Sequence, residues 1–328
     1  MILVTDNYKT FIGKDSNRFK LLTGKEKKEY SADVVKQIIV VKASAISTGA
    51  IKLAMENNVD IVYLGKFGSP HARIYPCRLG GTTLTRRRQL EAYYSEKGTL
   101  LAKRFILAKI RNQSSLLKSL GKARNNIDLI NAAKSIGRSI AAIDALQGDI
   151  DMIRPQLLGV EGNAGSTYFS ALSRILPFQG RDKDGKDAVN IFLNYGYGML
   201  YSEIERACVI AGLDPYLGFM HMDRYGKPSM TLDLIEEFRQ PVVDRAVVTL
   251  FSQKQVQNAD FEQYGESTLL SEQGRRKVIT AILERLSQKI TYNTKQISLK
   301  EIIVEQARNV TRFLLQQKED YTGFTSRW

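Results

Sequence analysis

The sequence predicts an α+β protein, with a small N-terminal β-rich, β-sandwich-like domain over residues 1–80 and a larger all-α C-terminal domain over residues 81–328. Three observations predict it. Up to about Arg78 the apolar residues fall in short runs separated by turn formers. Beyond Gly80 and Gly81 they recur at helical spacing over long stretches. At 328 residues the chain is also longer than one ordinary small domain requires.

The extended runs are residues 2–4, 10–12, 19–22, 38–41, 61–64 and 72–75, punctuated by Asp6 and Asn7, by residues 13–17 and by Gly24. One helix interrupts them. Ser47 suits its N-cap, Ile51, Ala54 and Met55 repeat at helical spacing, and Asn57 and Asn58 close it. After the glycine pair come helical patterns at 84–95 and 100–122, then 155–176, 187–211, 231–252, 272–287 and 298–317. Residues 180–185, with Arg181-Asp182-Lys183-Asp184 at their centre, read as a polar, mobile loop.

The composition bounds the function. A hydrophobic fraction of 43% and a charged fraction of 25% are those of a globular chain, which excludes fibrous and disordered classes. No apolar run reaches the roughly 18 residues that span a bilayer, and the start MILVTDNYK lacks the pattern of a secretory signal, so a cytoplasmic location is expected. Cys77 and Cys208 are too few and too far apart for a disulfide framework or a cysteine zinc site, and are read as buried apolar fillers. The net charge of +14 and a pI near 9.6 point to a polyanionic partner, nucleic acid above all. Between Thr82 and Gly148 basic residues outnumber acidic ones about three to one, with the cluster Arg86-Arg87-Arg88 and with Lys103, Arg104, Lys109 and Arg111. A solvated helix face could carry such charges, but balanced i,i+4 ion pairs are largely missing, which favours a phosphate-tracking surface.

The chemistry is expected in the second half. Glu161 stands at the edge of an apolar stripe formed by Val160, Ala164, Tyr168, Ala171, Leu172 and Ile175, where a carboxylate needs a partner. His221 follows the apolar Leu217-Gly218-Phe219-Met220. Shortly after it, Asp233 shares a helical face with Glu236 and Glu237. Like charges on one face repel and call for a cation, of which Arg239 and Arg245 supply part and a divalent ion the rest. Two carboxylates and an imidazole form a mixed oxygen and nitrogen set suited to Mn²⁺ or Mg²⁺.

These motifs resemble the CRISPR-associated adaptation integrase family, the first Cas protein. The resemblance is carried by Gly159-Val160-Glu161-Gly162 with Tyr168-Phe169, Asn190 through Tyr197 to Ser202, Gly212-Leu213-Asp214-Pro215, and His221 with Ser229 to Arg239. It implies a divalent-metal-dependent DNA endonuclease and strand transferase that inserts new spacers into a CRISPR array. It also implies Glu161, His221 and Glu236 as metal ligands and catalytic residues, with Asp233 as a second-line acid. Arg239, Arg245, Arg86, Arg87 and Arg88 would meet phosphates, and a homodimer formed mainly through the strand-rich domains would dock the second Cas protein on double-stranded pre-spacer and repeat DNA. Asp187 replaces a proline common in the family and is read as a neutral departure. Two other readings compete: a non-catalytic basic DNA-binding scaffold, and a structure-selective nuclease acting on branched DNA or RNA. Tyr168 and Tyr197 suit a core more than a stacking platform, and His71 a structural or surface position. Tyr321, Phe324 and Trp328 form an apolar tail that would dock on a groove or a partner.

Overall fold

Residues 1–65, 67–76, 82–265 and 267–326 are described by a computed structural model, in which the chain divides into two units, Met1–Leu79 and Gly80–Trp328. Gly80 and Gly81, Cys77 and Trp328 lie outside the described residues.

Eight strands and one helix make up the first unit: β1 (Ile2–Thr5), β2 (Thr10–Asp15), β3 (Arg18–Thr23), β4 (Glu26–Ser31), β5 (Gln37–Val40), β6 (Ser44–Ile46), α1 (Thr48–Glu56), β7 (Asp60–Leu64) and β8 (Pro70–Ile74). They form two four-stranded sheets, ordered β1-β5-β7-β8 and β4-β3-β2-β6. In the first sheet β1, β5 and β7 are parallel and β8 is antiparallel. A parallel step needs a crossover, and the segment holding β6 and α1 lies between β5 and β7 in the chain. The apolar strand β5 is buried along its whole length, as a strand with neighbours on both sides should be. Leu3, Ile12, Phe19, Ile38, Leu53 and Ile61 meet in one core cluster drawn from both sheets and α1. Ser47 caps α1 by accepting the Ala50 amide at 3.1 Å. Two strands escape the apolar pattern, short β6 and edge strand β4. The sequence of β4, Glu-Lys-Lys-Glu-Tyr-Ser, carries ion pairs Lys27 to Glu29 (2.7 Å) and Lys28 to Glu26 (3.4 Å) instead of apolar alternation.

Helices dominate the second unit: α2 (Thr82–Tyr93), α3 (Glu96–Ala123), α4 (Ile127–Asp144), α5 (Ile150–Leu172), α6 (Ala188–Ile210), α7 (Ser229–Ile235), α8 (Arg245–Ser252), α9 (Glu272–Ser287) and α10 (Leu299–Leu314). The long α3 buries Leu101, Phe105, Ile106, Ile110, Leu116 and Leu117. Helix α4, which the sequence pattern did not separate from the basic region, starts at Asn126, whose side chain accepts the amides of Asp128 and Leu129. Asp187 is the N-cap of α6 and accepts the Asn190 amide at 2.9 Å, so its place in the sequence is a structural one. The 180–185 loop is pinned to that helix, because Arg181 donates to the side-chain oxygens of Asn190 and Asn194 at 3.0 and 2.7 Å.

Two expectations need correction. The helical unit is not purely α, since it also carries two small hairpins, β9 (Phe261–Tyr264) with β10 (Ser267–Leu270) and β11 (Lys289–Tyr292) with β12 (Lys295–Ser298). The helix expected over 231–252 is broken after Ile235 and resumes through a π-helical turn, Arg239–Asp244, before α8. Pro241 lies in that turn; lacking an N–H, it cannot continue a regular helical ladder. Among the described residues no helix is long and apolar enough to cross a membrane.

Candidate active site

Glu161 lies mid-way along α5 with its side chain 22% exposed, and Glu236 lies immediately after α7 with its side chain 4% exposed. Seventy-five positions apart in sequence, the two carboxylates converge on one cation, the Lys109 ammonium of α3. Lys109 Nζ donates to Glu161 Oε1 and pairs with Glu236 Oε2 at 2.7 Å. Arg239 Nε donates to the other Glu236 oxygen at 3.0 Å while its guanidinium lies 4.7 Å from the Tyr197 ring centre. Burial acts to raise the Glu236 carboxyl, but Arg239, Lys109 and His221, in that order, more than offset it and bring its pKa down to about 2.

The loop that carries His221 is gripped from both sides. Asp233, fully buried on α7, accepts the amides of Phe219 (2.6 Å) and Met220 (3.0 Å) on Oδ2, and the amide of His221 (3.0 Å) on Oδ1. The same Oδ1 lies 2.7 Å from His221 Nδ1, which favours a proton on Nδ1 and leaves Nε2 as the nitrogen for a ligand. On the carbonyl side, buried Arg154 of α5 donates to Met220 O (3.1 Å) and Phe219 O (3.2 Å). Gly218 lets this loop press on the start of α7. A Cβ there would lie 2.5 Å from Ser229 Cβ and 2.7 Å from the Ser229 carbonyl carbon.

The three neighbouring acids do not stack as one charged face. Asp233 faces the His221 loop, Glu236 faces Lys109 and Arg239, and Glu237 is buried elsewhere, accepting from Tyr321 and the Phe324 amide. Burial pushes the Glu237 carboxyl up to about 8, against those hydrogen bonds. Tyr168 and Tyr197 belong to the interior, both donating to the carboxylate of buried Asp244.

The donor set suits a hard divalent cation. Glu236 Oε2 is buried and faces the Lys109 ammonium at 2.7 Å, so this oxygen already serves as an anionic donor toward a cation. Lys109 marks the point on which both glutamates already converge. Among the described residues, however, no three His, Cys, Asp or Glu side chains surround one point as a ready coordination shell. Glu161 and Glu236 are brought together on Lys109, and Asp233 holds the His221 imidazole on its Nδ1 side.

The arginines expected to meet phosphates fall in different settings. Arg239 is drawn into the site as the partner of Glu236. Arg245 opens α8 and is half-buried. Arg86, Arg87 and Arg88 are exposed on α2, Arg86 being 3.9 Å from Asp214 and Arg88 2.7 Å from Glu91. Lys109, expected on the basic surface, lies instead at the centre of the site, between Glu161 and Glu236. The available signal was its setting, because residues 105–108 and Ile110 around it are all buried, and a lysine in such a run needs anionic partners. Arg154, Asp244 and the Glu237 pocket carried no comparable signal.

The sequence profile of the family described as "CRISPR associated protein Cas1" matches residues 3–284. An endonuclease Cas1 of Archaeoglobus fulgidus is 37% identical, with 100% of each chain covered. The chain belongs to the Cas1 family. A Cas1 protein of Methanobrevibacter ruminantium is 31% identical, again with 100% of both chains covered. Among solved structures, this Cas1-family chain shares its fold with a casposase bound to integration product, at a TM-score of 0.84 and 23% identity over 98% of this chain and 92% of that one. It matches a Cas1 protein from Thermotoga maritima at a TM-score of 0.80 and 19% identity over 100% of both.

Proposed function

We propose that the protein is a divalent-metal-dependent DNA endonuclease and integrase that inserts new spacers into a CRISPR array, with Glu161, His221 and Glu236 as its metal ligands. The convergence of Glu161 and Glu236 on one cation position is the observation that carries this reading, and the imidazole whose Nδ1 edge is fixed by Asp233 is its third proposed donor. Family membership and the endonuclease name of the A. fulgidus relative support the reaction class. A Mn²⁺ or Mg²⁺ ion bound there would polarise a phosphodiester oxygen and stabilise the charge that develops on it.

The chain's own residues do the remainder. Glu161 and Glu236 give the site its negative charge, and Asp233 keeps Nε2 of His221 available. Lys109 and Arg239 balance the acids, and their positive charge would also favour a phosphate at this site. In strand transfer a DNA 3′-hydroxyl attacks phosphorus, a new P–O bond forms as the old one breaks, and the released 3′-oxygen takes up a proton. The number of phosphodiester bonds is conserved, so no external energy source is required. In cutting, water takes the place of the hydroxyl. The net charge of +14 and the basic helices α2 and α3 suit duplex pre-spacer and repeat DNA as substrate. A homodimer that docks the second Cas protein is part of the proposal, supported by the likeness in fold to a chain of a Cas6-RT-Cas1–Cas2 complex.

Plasmid nicking and strand transfer with Mn²⁺ and with EDTA test the reading. Activity should disappear in EDTA and in Glu161→Ala, His221→Ala and Glu236→Ala, with each variant still folded by circular dichroism. Full activity in all three variants would remove the site, and DNA binding with no metal-dependent chemistry would leave only a scaffold.

A further inference from the structure

Glu236 sits where the helix is interrupted. The amides of Glu236, Glu237 and Phe238 bond back three residues, to Asp233 (3.3 Å), Leu234 (3.3 Å) and Ile235 (2.9 Å), rather than four. A tightened turn between α7 and a π-helical segment aims its side chains less firmly than a continuous helix does, so the aim of Glu236 depends on contacts from elsewhere.

The segment after α10 provides them. From Asp320 to Ser326 the chain tracks α3 step by step: Asp320 pairs with Arg104 (3.1 Å), and the Tyr321 ring meets Phe105 edge to face (5.5 Å). Asn112 donates to Phe324 O (2.9 Å), and Ser115 donates to Ser326 O (3.3 Å). The tail then grips the two residues that follow Glu236. Tyr321 donates its hydroxyl to Glu237 Oε1 at 2.5 Å, and the Phe324 amide donates to Glu237 Oε2 at 2.8 Å. The Phe324 ring stacks on Phe238 with centroids 5.2 Å apart and planes 8° from parallel. Asn112 closes the network by donating to the Glu237 carbonyl at 2.8 Å and accepting the Ser326 amide at 2.8 Å. The approach is close enough to require Gly323, where a Cβ would lie 2.7 Å from Ala108 Cβ and 2.9 Å from Glu237 Oε1. Lys109 and Asn112, one turn apart on α3, therefore hold Glu236 and Glu237 respectively, and the tail lies against the same helix.

We propose that the C-terminal tail, through Tyr321 and Phe324, is a positioning element for Glu236: it clamps Glu237 and Phe238 and so sets the direction of the carboxylate used by the site. Tyr321 and Phe324 are both buried, which gives neither a surface on which to meet DNA. Their effect runs through the peptide of residues 236–238. The inference rests on the metal-dependent reading above.

The test uses the full-length protein with Tyr321→Phe, which deletes one hydroxyl and keeps the ring, and Phe324→Leu, which keeps burial and removes the stack. Glu161→Ala serves as the reference for a lost site. Three quantities are read: kcat and KM for strand transfer at saturating Mn²⁺, Mn²⁺ affinity without DNA from the free-ion electron paramagnetic resonance signal, and the melting temperature. The expected result is an on the order of tenfold loss in both kcat and Mn²⁺ affinity, with KM for DNA within about twofold. Wild-type kcat and Mn²⁺ affinity in both tail variants, with Glu161→Ala inactive, would overturn the positioning role alone, whether or not the melting temperature falls. An inactive wild-type protein overturns the metal-dependent reading and this inference with it.

Discussion

Lys109 places a fixed positive charge where two carboxylates meet, so it neutralises the acids and, on the proposed reading, would also compete with a metal ion for that position. Burial alone would lower its pKa, but Glu236 and Glu161 outweigh that effect and raise it, so the ammonium stays charged. Lys109→Met should therefore separate the two roles. Without the ammonium, Glu161 loses a partner and Glu236 keeps only Arg239. Stability in EDTA should fall by about 2 kcal/mol, roughly 4–8 °C in melting temperature. Added Mn²⁺ should then raise the melting temperature of the variant more than that of the wild type. Equal Mn²⁺ shifts in a differential scanning fluorimetry comparison would show that the ammonium does not stand in the ion's place.

Among the elements, those with one apolar face were legible in the sequence and those stabilised by other means were not. Ser47, the stripe along α5 and the boundaries of α9 follow from caps and period alone. Strand β4 was hidden because it is an edge held by charge pairs, and the two hairpins because each is only four residues a side. The break after Ile235 was hidden in part because Pro241 is accommodated by a π-turn, a local solution that periodicity does not encode. The same limit applies to the site. Glu161, His221, Asp233 and Glu236 could be named from motif resemblance, whereas Lys109, Arg154 and the tail act through contacts across 52 to 216 positions of sequence. Gly218 shows how an element boundary bears on chemistry. Gly218→Ala puts a methyl group into the backbone at Ser229, so the His221 loop and α7 must part. We expect the amide hydrogens of residues 219–221, bound by Asp233 in the native protein, to exchange at least tenfold faster, with strand transfer falling in step. Unchanged exchange at those three amides would count against a loop held by this packing.

At the scale of the whole molecule the governing quantity is charge. With a net charge of +14, DNA affinity should fall steeply with salt, because each neutralised phosphate releases counterions. Replacing Arg86, Arg87 and Arg88 together by alanine should lower the slope of log affinity against log salt by about one to three units. The lower part of that range reflects the acidic partners of Arg86 and Arg88. Fluorescence anisotropy with a labelled duplex across a salt series measures the slope, and an unchanged slope would place the DNA on another face. The outer strand β4 bears on self-association. Among the described residues its outer backbone edge pairs with no strand and is a template onto which another extended chain could hydrogen-bond, yet an approaching strand would have to strip water from exposed Glu26, Lys27 and Lys28. That penalty discourages runaway sheet extension and fibre growth from this margin, and directs any orderly pairing of the small units to other surfaces.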